Sequence, residues 1–138
     1  KTFAYFVYPG ITPIEITQQV RTIDFMPTIL DYLKIEQDKN YENPDGESLL
    51  LLVNRKPLKE KIAYSETGNP LDDKKPPKEP NTKSIRTSKW KLIINEHNDT
   101  KELYDLEHDP AEKNNLIGKQ TDVEETLWKE FLRIQTGS

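Results

Sequence analysis

Glu102-Leu103-Tyr104-Asp105-Leu106-Glu107-His108-Asp109-Pro110-Ala111-Glu112-Lys113-Asn114-Asn115-Leu116 is the stretch that decides the fold of this 138-residue chain. Its first residues carry Leu103, Tyr104 and Leu106, which suits a strand from Glu102 to Leu106, and Asp109-Pro110 closes it. Upstream, Ser84 to Asn95 carries Ile85, Trp90, Leu92, Ile93 and Ile94. Between them, Glu96-His97-Asn98-Asp99-Thr100-Lys101 is turn chemistry, so the two segments predict an antiparallel hairpin. Downstream, a helix is predicted from Thr121, where Thr121 and Glu124 have the spacing of a capping box. Val123, Leu127, Phe131 and Ile134 then share one face at i, i+4, i+8 and i+11.

The first half is patterned differently. Phe3 to Tyr8 is almost wholly apolar and aromatic, as a buried strand is, and Pro9-Gly10 ends it. Ile14 to Val20 alternates loosely and predicts a short strand. A helix follows from about Asp24, because Phe25, Ile29, Leu30 and Leu33 recur at helical spacing. Asp24 is placed to cap the first turn, and Pro27 sits early enough that its missing donor costs little. Glu36 to Glu47 is polar, with a tight turn at Pro44-Asp45-Gly46. Ser48 to Val53 is apolar but too short to assign by periodicity, and Ile62 to Glu66 reads as a strand. Gly68 to Thr82 holds Pro70, Pro76, Pro77 and Pro80 among Lys74, Lys75 and Lys78, which predicts a solvated loop without a core of its own. The chain opens directly on Lys1-Thr2 and this aromatic strand, so a segment of a longer protein is expected.

Composition narrows the chemistry. The net charge is 20 − 24 = −4, which argues against a nucleic-acid footprint. The apolar run Leu49 to Val53 is far short of the roughly 20 residues of a membrane span. Cysteine is absent, so disulfides, thiolate metal sites and a cysteine nucleophile are excluded within the chain. Only His97 and His108 offer an imidazole base, both in loops, and neither a nucleophile elbow nor a phosphate-binding glycine loop is present. Asp105-Leu106-Glu107-His108-Asp109 spaces oxygen ligands like a calcium loop, but Pro110 stands where such a loop needs Gly and Leu116 where it needs Glu. A turn whose carboxylates accept from backbone N–H groups accounts for the same residues. Asn98-Asp99-Thr100 is a glycosylation sequon on a loop. By its residues alone the chain is an α+β protein with no complete active site.

The order of its short motifs resembles the sulfatase family. Val20-Arg21-Thr22-Ile23-Asp24-Phe25-Met26-Pro27-Thr28-Ile29-Leu30-Asp31-Tyr32-Leu33 is similar to that family's Asp, Pro-Thr and leucine-rich helix. Asp45-Gly46-Glu47-Ser48-Leu49 resembles the Asp-Gly-x-Ser-Leu turn that follows, and Tyr64-Ser65-Glu66 a strand that carries a Glu. Arg86 through Trp90-Lys91-Leu92-Ile93 is similar to the next strand, and Glu102 to Leu116 matches the C-terminal signature of Leu-Tyr-Asp-Leu, Asp-Pro and Glu-x-x-Asn-Leu.

The resemblance implies the last strand and helix of an alkaline-phosphatase-like α/β core in residues 1–35, a connector in 36–61, and in 62–138 a C-terminal subdomain. That subdomain is expected to be a four-stranded antiparallel sheet packed on the terminal helix. It further implies a parent enzyme that hydrolyses sulfate esters with formylglycine and a calcium or magnesium ion. No catalytic residue and no metal ligand carries over, since the nucleophile motif is missing and the family's metal motifs lie before Phe3. The implied partners are the parent's own catalytic domain and a sulfated small molecule or glycan. Glu66 and Arg86 are candidates for the substrate rim, Arg86 because its guanidinium offers a fixed fork of donors to sulfate. Structural ion pairs are the competing role for both. A stand-alone interaction module, or the tail of a phosphodiester or phosphonate monoester hydrolase, are the other functional expectations. Export of the parent is common in the family.

Overall fold

The computed structural model describes residues 12–36, 45–67, 82–96 and 98–137, together with Tyr5, Val7 and Gly10. The chain divides into two units: residues 1–18 with 23–58, and residues 19–22 with 59–138.

A 3-10 turn, Thr22–Asp24, leads into the first unit's helix α1, Phe25–Leu33, and a short helix α2 follows at Leu50–Val53. Lys34 ends α1 in the left-handed conformation, its N–H bonded to the Asp31 carbonyl. The turn at 45–49 is stitched to α1 by side chains. The Asp24 carboxylate accepts from the Glu47 N–H at 3.0 Å. Thr28 donates to the Asp24 carbonyl at 2.6 Å and accepts from the Leu49 N–H at 3.0 Å. Ser48 donates to Asp31 at 2.5 Å. Asp24 therefore does not cap the helix as expected: it makes no side-chain bond to the first turn. It is already helical at φ −78°, ψ −13°, whereas a capping residue needs extended backbone to fold its side chain onto the N–H groups ahead.

Residues 14–20 form no strand. Residues 13–18 line instead an open groove of about 490 Å³ with Leu52, Arg55 and Lys56. The strand expected at Phe3–Tyr8 falls mostly outside the described residues, as do Pro44 and the proline loop of 68–81. Tyr5 and Val7, which are described, stand outside regular structure.

The second unit is an antiparallel meander of β1 (Ala63–Thr67), β2 (Thr82–Arg86), β3 (Trp90–Asn95) and β4 (Thr100–Asp105), in that order across the sheet. Helix α3, Thr121–Thr136, packs on one face. This is the small antiparallel sheet with a terminal helix that the sequence predicts. One expectation is corrected: Ser84 to Asn95 is not one strand. Thr87 breaks it, its hydroxyl accepting from the N–H groups of Lys89 at 3.2 Å and Trp90 at 2.8 Å, and such a local side-chain bond turns the backbone. The capping box is corrected too. Gln120 is the capping residue, and the Glu124 carboxylate reaches the Gly118 N–H at 3.1 Å rather than Thr121.

Register decides which residues meet the helix. Tyr64, Ile85, Leu92 and Leu103 stand side by side across the four strands. Ile85, Leu92 and Leu103 are fully buried against Leu127 and Phe131. Trp128 stacks on Phe131 at 5.2 Å, and the Lys101 ammonium lies 3.7 Å from the Trp128 ring centre. The core is therefore closed within this unit by apolar burial and aromatic contacts.

Candidate functional site

Because side chains alternate across a strand, the register places a second set on the face away from α3. It runs in three rungs: Ala63, Arg86, Lys91, Tyr104; Ser65, Ser84, Ile93, Glu102; and Thr67, Thr82, Asn95, Thr100. Apart from Ala63 and Ile93 these are polar or carry a hydroxyl, and they are tied together. Glu102 accepts from the Tyr104 hydroxyl at 2.5 Å and the Asn95 amide at 2.9 Å, and Asn95 accepts from Thr82 at 3.1 Å. Lys91 pairs with Glu112 at 2.7 Å. The hydrogen bond to Glu102, followed by burial, pushes the Tyr104 phenol up to about 12. Sequence reasoning missed this network. Only the register brings Thr82, Asn95 and Glu102 together.

Arg86 stands at the end of β2 on this face, half-buried. Its carbonyl accepts from Gln19 Nε2 at 2.9 Å, and the same amide lies 3.3 Å from the Lys61 carbonyl. Gln19 thus clamps the start of β1 to the end of β2. The Arg86 Nε and the Gln19 Oε1 are buried without a hydrogen bond. Glu66 is exposed on β1 and accepts from the Tyr64 hydroxyl at 2.6 Å. Its partner across the strands is Lys83, on the α3 side of the sheet. The two candidate rim residues are therefore on opposite faces and are not brought together.

The loop after β4 is built by its carboxylates. Asp105 Oδ1 accepts from the N–H groups of Glu107 at 3.1 Å and His108 at 3.4 Å, and Oδ2 lies 2.9 Å from His108 Nδ1. That imidazole contact, more than the backbone bonds, holds the Asp105 carboxyl below its ordinary value. Asp109 Oδ2 accepts from the N–H groups of Lys113 at 2.8 Å and Asn114 at 2.7 Å. Asn115 Oδ1 accepts from Leu103 N–H and Ile117 N–H, both at 3.0 Å, and closes the outer edge of β4. Asp105, Glu107 and His108 are the one metal-like cluster among the described residues. Its donors are engaged: Asp105 by the turn and His108, Glu107 by Lys89 at 3.0 Å. The turn reading of this signature holds, and His97 lies outside the described residues. No described helix is long and apolar enough to cross a membrane.

Residues 5–137 match the family model of the N-sulphoglucosamine sulphohydrolase C-terminal domain. Among solved structures, the chain is 28% identical, with a TM-score of 0.63, to BT4656 bound to its substrate D-glucosamine-2-N,6-O-disulfate, over 82% of this chain and 23% of that one. It is 20% identical to BT1596, a 2-O GAG sulfatase, at a TM-score of 0.62, covering 83% of this chain and 25% of the other. A phosphonate monoester hydrolase from Silicibacter pomeroyi is 21% identical at a TM-score of 0.60, covering 82% and 24%. The chain thus spans about a quarter of the length of each of these structures. No curated protein matches it.

Proposed function

The chain belongs to the family of N-sulphoglucosamine sulphohydrolase C-terminal domains, and from that premise we propose that it forms the C-terminal part of a larger enzyme hydrolysing sulfate esters. In this reading residues 1–35 close the catalytic domain, residues 36–61 connect, and residues 62–138 are the C-terminal subdomain. The observation that carries it is the family match over 5–137 together with the quarter-length coverage of related structures. It accounts for the absence of chemistry among the described residues. Among the described residues, His108, the one described imidazole, is committed to Asp105.

Formylglycine and a calcium or magnesium ion would belong to the catalytic domain. The residues present do not fit either group: the chain has no cysteine, and the Asp105 cluster has its donors engaged. The segment's own part is packing and a share of the substrate rim. Arg86 supports the rim role, since its Nε is buried without an acceptor and a guanidinium suits sulfate oxygens. Glu66 would contact substrate separately, from the other side of the sheet.

The test uses the full-length gene product. It should hydrolyse an aryl or sugar sulfate, and Arg86→Ala should raise KM with little change in kcat or thermal midpoint. A fall in the midpoint with KM unchanged would assign Arg86 to the sheet alone. A second reading, hydrolysis of phosphonate monoesters, is favoured by the likeness to the Silicibacter enzyme's fold. Faster turnover of an aryl phosphonate than of the matching sulfate would select it.

A further inference from the structure

The polar network on the sheet face away from α3 does not end within the sheet. It continues from Asn95 into the turn between β3 and β4 and stops at Asn98. Thr100 Oγ1 accepts from the Asn95 amide at 3.4 Å, which leaves its own proton for Asn98 Oδ1, to which it donates at 2.6 Å. Asn98 Nδ2 makes no hydrogen bond among the described residues, and Asn98, Asp99 and Thr100 are all exposed at the tip of the hairpin. Asp99 takes the left-handed conformation, with φ 53°, and turns the chain so that the side chains on either side of it meet. Glu96, the nearest carboxylate before Asn98 in sequence, is taken by Lys83 at 2.7 Å.

We propose that Asn98 is an acceptor for N-linked glycosylation, with an oligosaccharide carried on a polyprenyl diphosphate as the donor. Asn98-Asp99-Thr100 is the only Asn-x-Ser/Thr triplet in the sequence, and such triplets are modified on surface loops of exported proteins. What sets this one apart is the bond from Thr100. A carboxamide nitrogen is a weak nucleophile because its lone pair is shared with the carbonyl. It strengthens as it loses a proton and the oxygen gains charge, and a donor already aimed at that oxygen favours the charged form. In the reaction Nδ2 attacks the anomeric carbon of the sugar. The C–N bond forms as the bond from that carbon to the diphosphate oxygen breaks, the electron pair leaves with the diphosphate, and the Nδ2 proton passes to a base of the transferase. The glycan would stand at the end of the sheet marked by Thr82, Asn95 and Thr100. Arg86 lies four residues along β2 from Thr82, about 13 Å away, so this site is separate from the proposed substrate rim and independent of the proposed activity.

The test incubates the folded full-length protein with a purified oligosaccharyltransferase and its polyprenyl-diphosphate oligosaccharide, beside an acceptor peptide as positive control. Peptide mass spectrometry should find one glycan on Asn98, and a peptide N-glycosidase should remove it and leave an aspartate in its place. Thr100→Ala should lower the occupancy on the order of tenfold, the loss of one hydrogen bond to a developing charge, while Thr100→Ser should keep most of it. Asn98→Gln, at the exposed tip, should abolish the modification and leave the thermal midpoint in place. An unmodified Asn98 beside a glycosylated control peptide would overturn the proposal, and so would equal occupancy in Thr100→Ala. A protein glycosylated at Asn98 that cleaves no sulfate ester would remove the proposed activity and leave this site standing.

Discussion

Gly46 shows how strictly single residues are chosen in the turn that follows α1. A Cβ built there would lie 2.0 Å from the Ile23 carbonyl oxygen and 2.6 Å from its carbon. Both are backbone atoms, which cannot swing aside as a side chain would. Gly46→Ala should therefore cost on the order of 3 kcal/mol by overpacking, read as a lower urea midpoint. A loss of only a few tenths would mean that the turn relaxes away from α1. At Asp105 the relevant quantity is a proton. Its carboxyl is held low first by His108 and then by two backbone N–H groups. A carboxyl lowered in the folded state adds stability above its unfolded pKa, and that stability is lost as pH falls through the folded value. His108→Ala should move the Asp105 titration, followed by its carboxyl carbon in NMR, upward toward the ordinary range. An unmoved titration would leave the backbone bonds as the whole cause.

Among elements, the two faces of the sheet divide the work, and both carry a tyrosine paired with a glutamate. Tyr64, on the α3 face, is pushed up to about 12, by burial first and by its bond to Glu66 second. Tyr104, on the other face, is also pushed up to about 12, with the Glu102 bond leading. A phenol raised in the folded state favours folding at neutral pH. That advantage fades as pH climbs from near 10, where the unfolded chain ionises, toward 12. Absorbance titration should find Tyr64 and Tyr104 ionising well above pH 10, and Tyr64→Phe should flatten the loss of stability over that window. Ionisation of both near 10 would contradict both hydrogen bonds. The elements also show what a sequence discloses. Apolar recurrence marked α1, α3 and the β3–β4 hairpin, because burial imposes a period. The break at Thr87 and the brace from Asp24 to Glu47 left no such trace, since each depends on one polar side chain choosing between a local and a distant N–H. The Glu102–Asn95–Thr82 network was hidden for a related reason: it exists only in the register of three strands. Asp109 was legible as a turn carboxylate and Asn115 only as a member of a family signature, and the structure gives both one purpose, which is to hold the loop that closes β4.

For the whole molecule, the two units are unequal in what holds them. The second has a closed core, in which Ile85, Leu92 and Leu103 are fully buried under Leu127 and Phe131. In the first, the buried apolar residues among those described are Leu49 and Pro27, and polar braces carry much of the rest. Braces of this kind contribute about 1 kcal/mol each, whereas truncating a buried aromatic costs roughly 3–5 kcal/mol. Local opening should therefore be easier in the first unit. Hydrogen exchange on the 138-residue chain should find the β3 and β4 amides slowest and those of α1 markedly faster. Phe131→Ala should then erase the slow class, because its removal opens the core on which all four strands rest, while Met26→Ala, on the exposed face of α1, should leave it intact. Were the α1 amides as slow as those of β3, the first unit would be stable by itself. Faster exchange in α1 that slows in the full-length protein would instead mean that the preceding domain completes the first unit's packing, while the second unit arrives already folded.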